Sequence, residues 1–115
     1  MYKIVSVLVS LLILLLLETC GNDALQKTKT GLDKASISRG KQLFQQYRCV
    51  QCHGDDGTSG FADLSKTGEK YSIQEVKTWI ANPSSMKPGA SMPAFNMLQD
   101  EQVSDLAQFV ISLGE

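Results

Sequence analysis

Cys49-Val50-Gln51-Cys52-His53 concentrates more chemistry than any other stretch of this chain. Two thiols three positions apart, followed at once by an imidazole, could bind zinc, cycle as a redox dithiol or hold a haem. Zinc asks for four ligands; the pentad supplies three, and no second Cys/His pair follows it. A thioredoxin-like dithiol belongs to a βαβ setting, and no segment shows the sustained period-two alternation of a strand. Covalent haem attachment fits the order of the residues. Each sulfur can add across one of the two haem vinyl groups, and the next residue then stands beneath the iron as an axial imidazole.

His53 is the only histidine, so this chain cannot supply two axial imidazoles. A methionine thioether is the common partner in electron-carrying haems of this kind. Of four methionines, Met1 lies in the leader, and Met97, just before the last helix, is expected to pack. Met86 and Met92 lie in a stretch punctuated by Pro83, Pro88 and Pro93. Met92 is favoured because Pro93 stiffens the adjacent backbone and removes a donor. A gap-filling core methionine is the competing reading of Met92.

The rest of the chain must export, tether and wrap this group. Residues 1–19 read as a signal peptide: Lys3 precedes an apolar run of 14 residues, Ile4 to Leu17. That run is shorter than the roughly 20 residues a spanning helix needs; an uncleaved anchor is the alternative. Cys20 follows directly and resembles the acylated cysteine of a bacterial lipoprotein, although Glu18 departs from that pattern. With Cys49 and Cys52 committed to haem, Cys20 has no disulfide partner. Lipidation is therefore expected there, with a free thiol as the alternative. Residues 20–36 are polar and read as a flexible tether, leaving 37–115 as the haem domain.

The 115 residues allow one domain, with 43% apolar and 20% charged residues, ordinary for a globular protein. The net charge of −1 offers no surface for nucleic acid. A domain this small needs extra core, and a haem is a large apolar plate that would supply it.

Ser38 is the expected N-cap of a first helix carrying Leu43, Phe44 and Tyr47, with Gly40 inside it at a cost of about 1 kcal/mol. Residues 54–68, rich in Gly and Asp, read as a loop. Ser72 and Glu75 form a capping box for a helix with Val76, Trp79 and Ile80, which must stop near Asn82 because Pro83 follows. Asn82 to Phe95 is expected to be extended. Asp100 should cap a last amphipathic helix with Val103, Leu106, Phe109, Val110 and Leu113, ended by Gly114.

Taken together, Gly40-x-x-x-Phe44, Cys49-x-x-Cys52-His53-Gly54, Asn82-Pro83, Pro88-Gly89-x-x-Met92-Pro93 and Leu106-x-x-Phe109-Val110 give the chain its family likeness. It resembles the small class I monohaem c-type cytochromes of bacteria, including cytochrome domains attached to terminal oxidases and membrane-tethered cytochromes of Gram-positive bacteria. The resemblance implies an all-α cytochrome c fold, three to four helices around one covalent haem c. First and last helices would cross where Gly40 and Phe44 meet Phe109. It implies Met92 as the distal ligand opposite His53, and a single-electron carrier outside the cytoplasmic membrane, not an enzyme. Its redox partners would be a quinol-oxidising complex, a terminal oxidase or a reductase, and the lipid at Cys20 would hold it to the membrane.

One motif departs from the family: its Gly-Pro-x-Leu is here Phe61-Ala62-Asp63-Leu64. The Ala62 carbonyl is still expected to accept the proton on the second nitrogen of His53. Trp79 and Tyr71 could reach a haem propionate, but read first as plain core aromatics. Two other functions stay open on the sequence. One is a haem subunit bound stably to an oxidase or reductase; the other is a haem enzyme or gas sensor with a displaceable distal ligand.

Overall fold

The first helix, α1 (Lys34–Gln46), starts four residues before the expected cap. In the computed structural model, which describes Met1 and residues 31–115, Asp33 is the N-cap and its carboxylate accepts the Ser36 N–H at 2.8 Å. The Asp33 N–H in turn donates to Gln108 Oε1 at 2.7 Å, and Leu32 is only 6% exposed. Residues 32–36, assigned above to the tether, are thus tied into the domain. The partner that holds them is 75 positions away, so no local pattern reveals it. Residues 2–19, Cys20 and the tether as far as residue 30 lie outside the described residues.

Six helices follow one another among the described residues, where three to four were expected, because short turns of helix form at Val50–His53, Thr67–Lys70 and Pro83–Met86. The absence of an extended strand among them is as the sequence predicts. After α1 come α2 (Val50–His53), α3 (Thr67–Lys70), α4 (Ile73–Ala81), α5 (Pro83–Met86) and α6 (Asp100–Ser112). No helix among the described residues is long and apolar enough to cross a membrane. The capping box of α4 forms as expected, with Ser72 and Glu75 satisfying each other's backbone N–H. Pro83, expected to open an extended stretch, instead occupies the first position of α5. Its missing N–H costs nothing there, and its fixed φ already suits a helix. The cap of α6 is Gln99 and not Asp100: Gln99 N–H donates to Gln102 Oε1 at 3.0 Å and the exchange is reciprocal. Glutamine is a rare cap, which is why the sequence favoured its acidic neighbour.

Helix α6 is the centre of the core. Val103, Leu106, Ala107, Phe109 and Val110 are buried on it, and Phe44, Val76, Ile80 and Leu98 close over them. Where α1 crosses α6, a Cβ on Gly40 would strike the Asp105 carbonyl and come within 2.8 Å of Phe109 Cβ. One turn on, the Phe44 and Phe109 rings meet edge-to-face at 5.2 Å. The expected crossing is therefore present, and the glycine allows it. Arg39 adds a fork-like ion pair to the nearly buried Asp105, Nε at 2.7 Å and Nη2 at 3.0 Å. Nothing local in the sequence points to that pair.

Several carboxylates, Asp33 half-buried and the others exposed, are tied to backbone N–H groups. The carboxyl groups of Asp33, Asp56, Asp63 and Glu75 are held below the usual range chiefly by the N–H groups of Ser36, Thr58, Ser65 and Ser72 respectively. Each folded pKa lies below its unfolded value, so this stabilisation is complete above about pH 4.5 and is lost as pH falls through the folded values. The thermal midpoint should hold from roughly pH 7 to pH 5 and fall below about pH 4. Asp33→Asn should flatten that acid limb; an identical limb in the variant would remove Asp33 from the account.

Candidate haem-binding site

The pentad is one turn of helix fastened to the end of α1. Arg48 has φ 59°, in the left-handed region. Its N–H donates to Gln45 O at 3.1 Å, and the Cys49 N–H donates to Phe44 O at 3.0 Å. This is a Schellman ending with arginine in the place usually taken by glycine. It turns the chain so that α2 begins at once, with His53 N–H bonded to Cys49 O at 3.0 Å. Arg48→Gly removes the left-handed strain but loosens the unfolded chain, so it should stabilise by about 0.5–1 kcal/mol. Denaturant unfolding would check the sign.

The loop after His53 folds back onto the pentad. Gly60 N–H donates to His53 O at 3.1 Å and Ala62 N–H to Cys52 O at 3.2 Å. A Cβ on Gly60 would overlap the Cys52 and His53 backbone, so glycine is what lets this return strand lie so close. The return places Ala62 O 2.6 Å from His53 Nδ1. A carbonyl only accepts, so Nδ1 carries the proton and Nε2 keeps its lone pair. That tautomer is what a metal-ligating histidine requires. The bond expected of Ala62 is present without the family's proline: backbone pairing on both sides supplies the rigidity that proline would.

Cys49 and Cys52 are both free thiols. Cys52 is exposed and Cys49 half-buried, and burial pushes the Cys49 thiol up. Leu43, Tyr47, Leu64, Met92 and Phe95 are half-buried apolar side chains packed against the core. The loop bearing Met92 is shaped by a type II turn: Ala90 N–H donates to Lys87 O at 3.0 Å, with Pro88 at the first corner and Gly89 (φ 78°) at the second. Its far end is held by Phe95, whose N–H donates to Ile80 O at 3.0 Å and whose ring meets Tyr47 edge-to-face at 6.4 Å. Tyr47 is two residues before Cys49, so the methionine loop and the attachment turn share one end of the molecule. Met86 is half-buried, and Met97, expected to pack, is 64% exposed. Its neighbours Phe95 and Leu98 take the inward positions instead.

Trp79 carries the test of whether a haem suits these residues. Its Nε1 is buried and has no hydrogen-bond partner, while its ring packs edge-to-face on Tyr71 at 6.0 Å. A buried donor left unpaired costs about 1–3 kcal/mol, so a plain core aromatic is the poorer description. A propionate carboxylate would satisfy it. With two unpaired thiols, a histidine presenting Nε2, half-buried apolar side chains and a waiting N–H donor, the residues fit a covalent haem. Trp79→Phe keeps the ring and removes the donor. It should raise the propionate pKa by about one unit, the worth of one charge-assisted hydrogen bond. Potentiometry across pH should then show the bend in midpoint potential moving upward by that amount.

A helical domain whose first and last helices cross above a C-x-x-C-H turn defines the c-type cytochrome architecture. The chain belongs to the cytochrome c family, whose model, Cytochrome c, matches residues 37–114. Cytochrome c6 of Cyanidium caldarium is 26% identical over 82 residues, 70% of this chain and 74% of that protein. Cytochrome c oxidase subunit 2 of Alkalihalophilus pseudofirmus is 29% identical over 86 residues, and that of Bacillus subtilis 24% over 101. Those stretches take up 66% and 74% of this chain but only 25% and 28% of the oxidase subunits. The chain thus spans about a quarter of their length. No solved structure matches. The family is one of electron-transfer proteins with covalently bound haem c.

Proposed function

We propose that this protein is a one-electron carrier holding a single haem c through Cys49 and Cys52, with His53 and Met92 as axial ligands. The observation that carries the reading is the His53 Nδ1–H bond to Ala62 O, which leaves Nε2 as the nitrogen available to a metal on the same turn as two free thiols. When bound, the group supplies a reversible one-electron couple. His53 and Met92 would both be committed to holding the iron, which would leave no site for oxygen binding or peroxidase chemistry. The apolar side chains of Leu43, Phe44, Leu64 and Phe95 exclude water and disfavour the extra positive charge of the oxidised state, raising the potential. The export leader puts the protein outside the cytoplasmic membrane, with a lipid on Cys20 as tether. A tether raises the effective concentration at membrane partners, here a quinol-oxidising complex, a terminal oxidase or a reductase.

An optical redox titration of the haem-loaded protein tests the reading: one reversible one-electron transition at positive potential is expected. A spectrum that changes on adding carbon monoxide to the reduced protein would replace it with an open-site enzyme or sensor. Mass spectrometry of the mature N-terminus should show a diacylglyceryl group on Cys20. The likeness to oxidase subunits favours a second reading, a haem subunit held stably by an oxidase. Co-migration with a large complex in solubilised membranes would select it.

A further inference from the structure

The Ala62 carbonyl holds one corner of the His53 ring and leaves the tilt of that ring open. It fixes where Nδ1 lies, but a carbonyl oxygen accepts an N–H over a broad range of directions. Torsional preference does not close the gap. Rotation of an imidazole about its Cβ–Cγ bond follows a broad, roughly two-fold profile and not sharp wells. A second contact must set the plane, and Phe44 makes one. Its ring centroid lies 6.0 Å from that of His53, with the two planes 42° apart. That separation is within the about 4.5–7 Å at which aromatic rings pair. Phe44 is itself held twice. Its carbonyl accepts the Cys49 N–H at 3.0 Å, so its main chain is fastened to the first residue of the pentad while its ring packs on the last. From α6, the Phe109 ring meets it at 5.2 Å and 63°. Phe44 and Phe109 are 2% and 5% exposed, and rings packed this closely pass a constraint from one to the next.

We propose that Phe44 is a positioning residue for the axial imidazole: supported by Phe109 where α1 and α6 cross, it sets the plane in which His53 is presented to the iron. The inference rests on the haem reading above. Groups beyond the ligand commonly fix a metal-bound histidine's orientation, usually through a hydrogen bond; here the hydrogen bond and a ring contact share that task. The plane matters for a carrier because an imidazole overlaps the π-type orbitals of the iron in one direction only. Its orientation therefore decides how the unpaired electron of the oxidised state is shared among the edges of the haem. Through Phe109, Phe44 and His53, the helix crossing reaches the electronic structure of the site as well as the stability of the fold.

Proton NMR of the reduced, haem-loaded chain should show cross-relaxation between the Phe44 ring protons and the β and ring protons of His53. Its absence overturns the proposal without any variant. Phe44→Leu keeps the backbone bond to Cys49 and removes the ring. In the oxidised variant the spread of the haem methyl resonances should narrow as the imidazole rocks, and the low-spin electron paramagnetic resonance signal should broaden. Both thioethers and the far-red band of the Met92 ligand should remain. Phe109→Leu acts one ring further away and should produce the same two changes at smaller size. Ile111→Ala is the control for stability alone, because that side chain packs on Gly68; it should unfold more easily and leave both spectra as they are in the parent protein. Spectra unchanged in Phe44→Leu, or altered alike in all three variants in step with lost stability, would make Phe44 a plain core residue and overturn the proposal. Failure of the haem reading looks different: the parent protein would then show no haem methyl resonances at all.

Discussion

Met92→Ala should abolish the far-red sulfur-to-iron charge-transfer band of the oxidised, haem-loaded protein and lower its midpoint potential. Soft thioether sulfur stabilises the reduced iron, and water or hydroxide in its place stabilises the oxidised iron. The fall should be on the order of a tenth of a volt or more, within the ~0.8 V that axial ligands span. Met86→Ala and Met97→Ala are the controls. Met97 is mostly exposed, and Met86 sits in the short helix α5, ahead of the Pro88-Gly89 turn that shapes the ligand loop. Neither should change the band. The loop itself is held from outside by the Phe95–Tyr47 contact and the Phe95 N–H bond to Ile80 O, so truncating Met92 should leave the fold in place. An unchanged spectrum in Met92→Ala would sink the ligand assignment while leaving His53 and the two thioethers untouched.

Gly40→Ala should destabilise the protein strongly. The new Cβ would meet backbone, the Asp105 carbonyl, and the Phe109 Cβ at 2.8 Å. Backbone cannot swing aside as the end of a flexible side chain can, so α1 and α6 must separate. Separation loosens the Phe44–Phe109 contact and the Arg39–Asp105 pair together. Overpacking typically costs 1–3 kcal/mol, and roughly 3 kcal/mol is expected here even after crediting the better helix propensity of alanine. Denaturant titration of the haem-loaded protein would measure it. Adding Phe109→Leu to Gly40→Ala should recover none of the loss, because leucine keeps the Cβ and the Asp105 carbonyl remains in the way.

Local signals on the chain were enough for several features. The spacing of Ser72 and Glu75 defined the start of α4, and the apolar periodicity from Val103 to Leu113 defined the face of α6. Each depends only on residues within a few turns of each other, where chain geometry dictates which groups can meet. Gly40 was legible as an anomaly with one sensible explanation, a close helix approach. Helix starts were less so. Asp33 and Gln99 cap their helices because of groups that a local pattern does not rank: Gln108 on the far helix for Asp33, and a reciprocal glutamine pair for Gln99.

The candidate site divides in the same way. By itself the sequence determined which attachment chemistry to expect, since the order Cys49-x-x-Cys52-His53 and the lack of any other histidine are one-dimensional facts. It also narrowed the proposed distal ligand to a methionine beside a proline. Only the tertiary structure decided which nitrogen of His53 is presented, because that depends on Ala62 O reaching Nδ1 through two backbone bonds nine residues along the chain. Only it showed that Trp79 Nε1 lacks a partner, and that Phe61 and Met97 face water. Exposure, pairing and tautomer are relations between atoms brought together by packing, and periodicity along a chain does not record them.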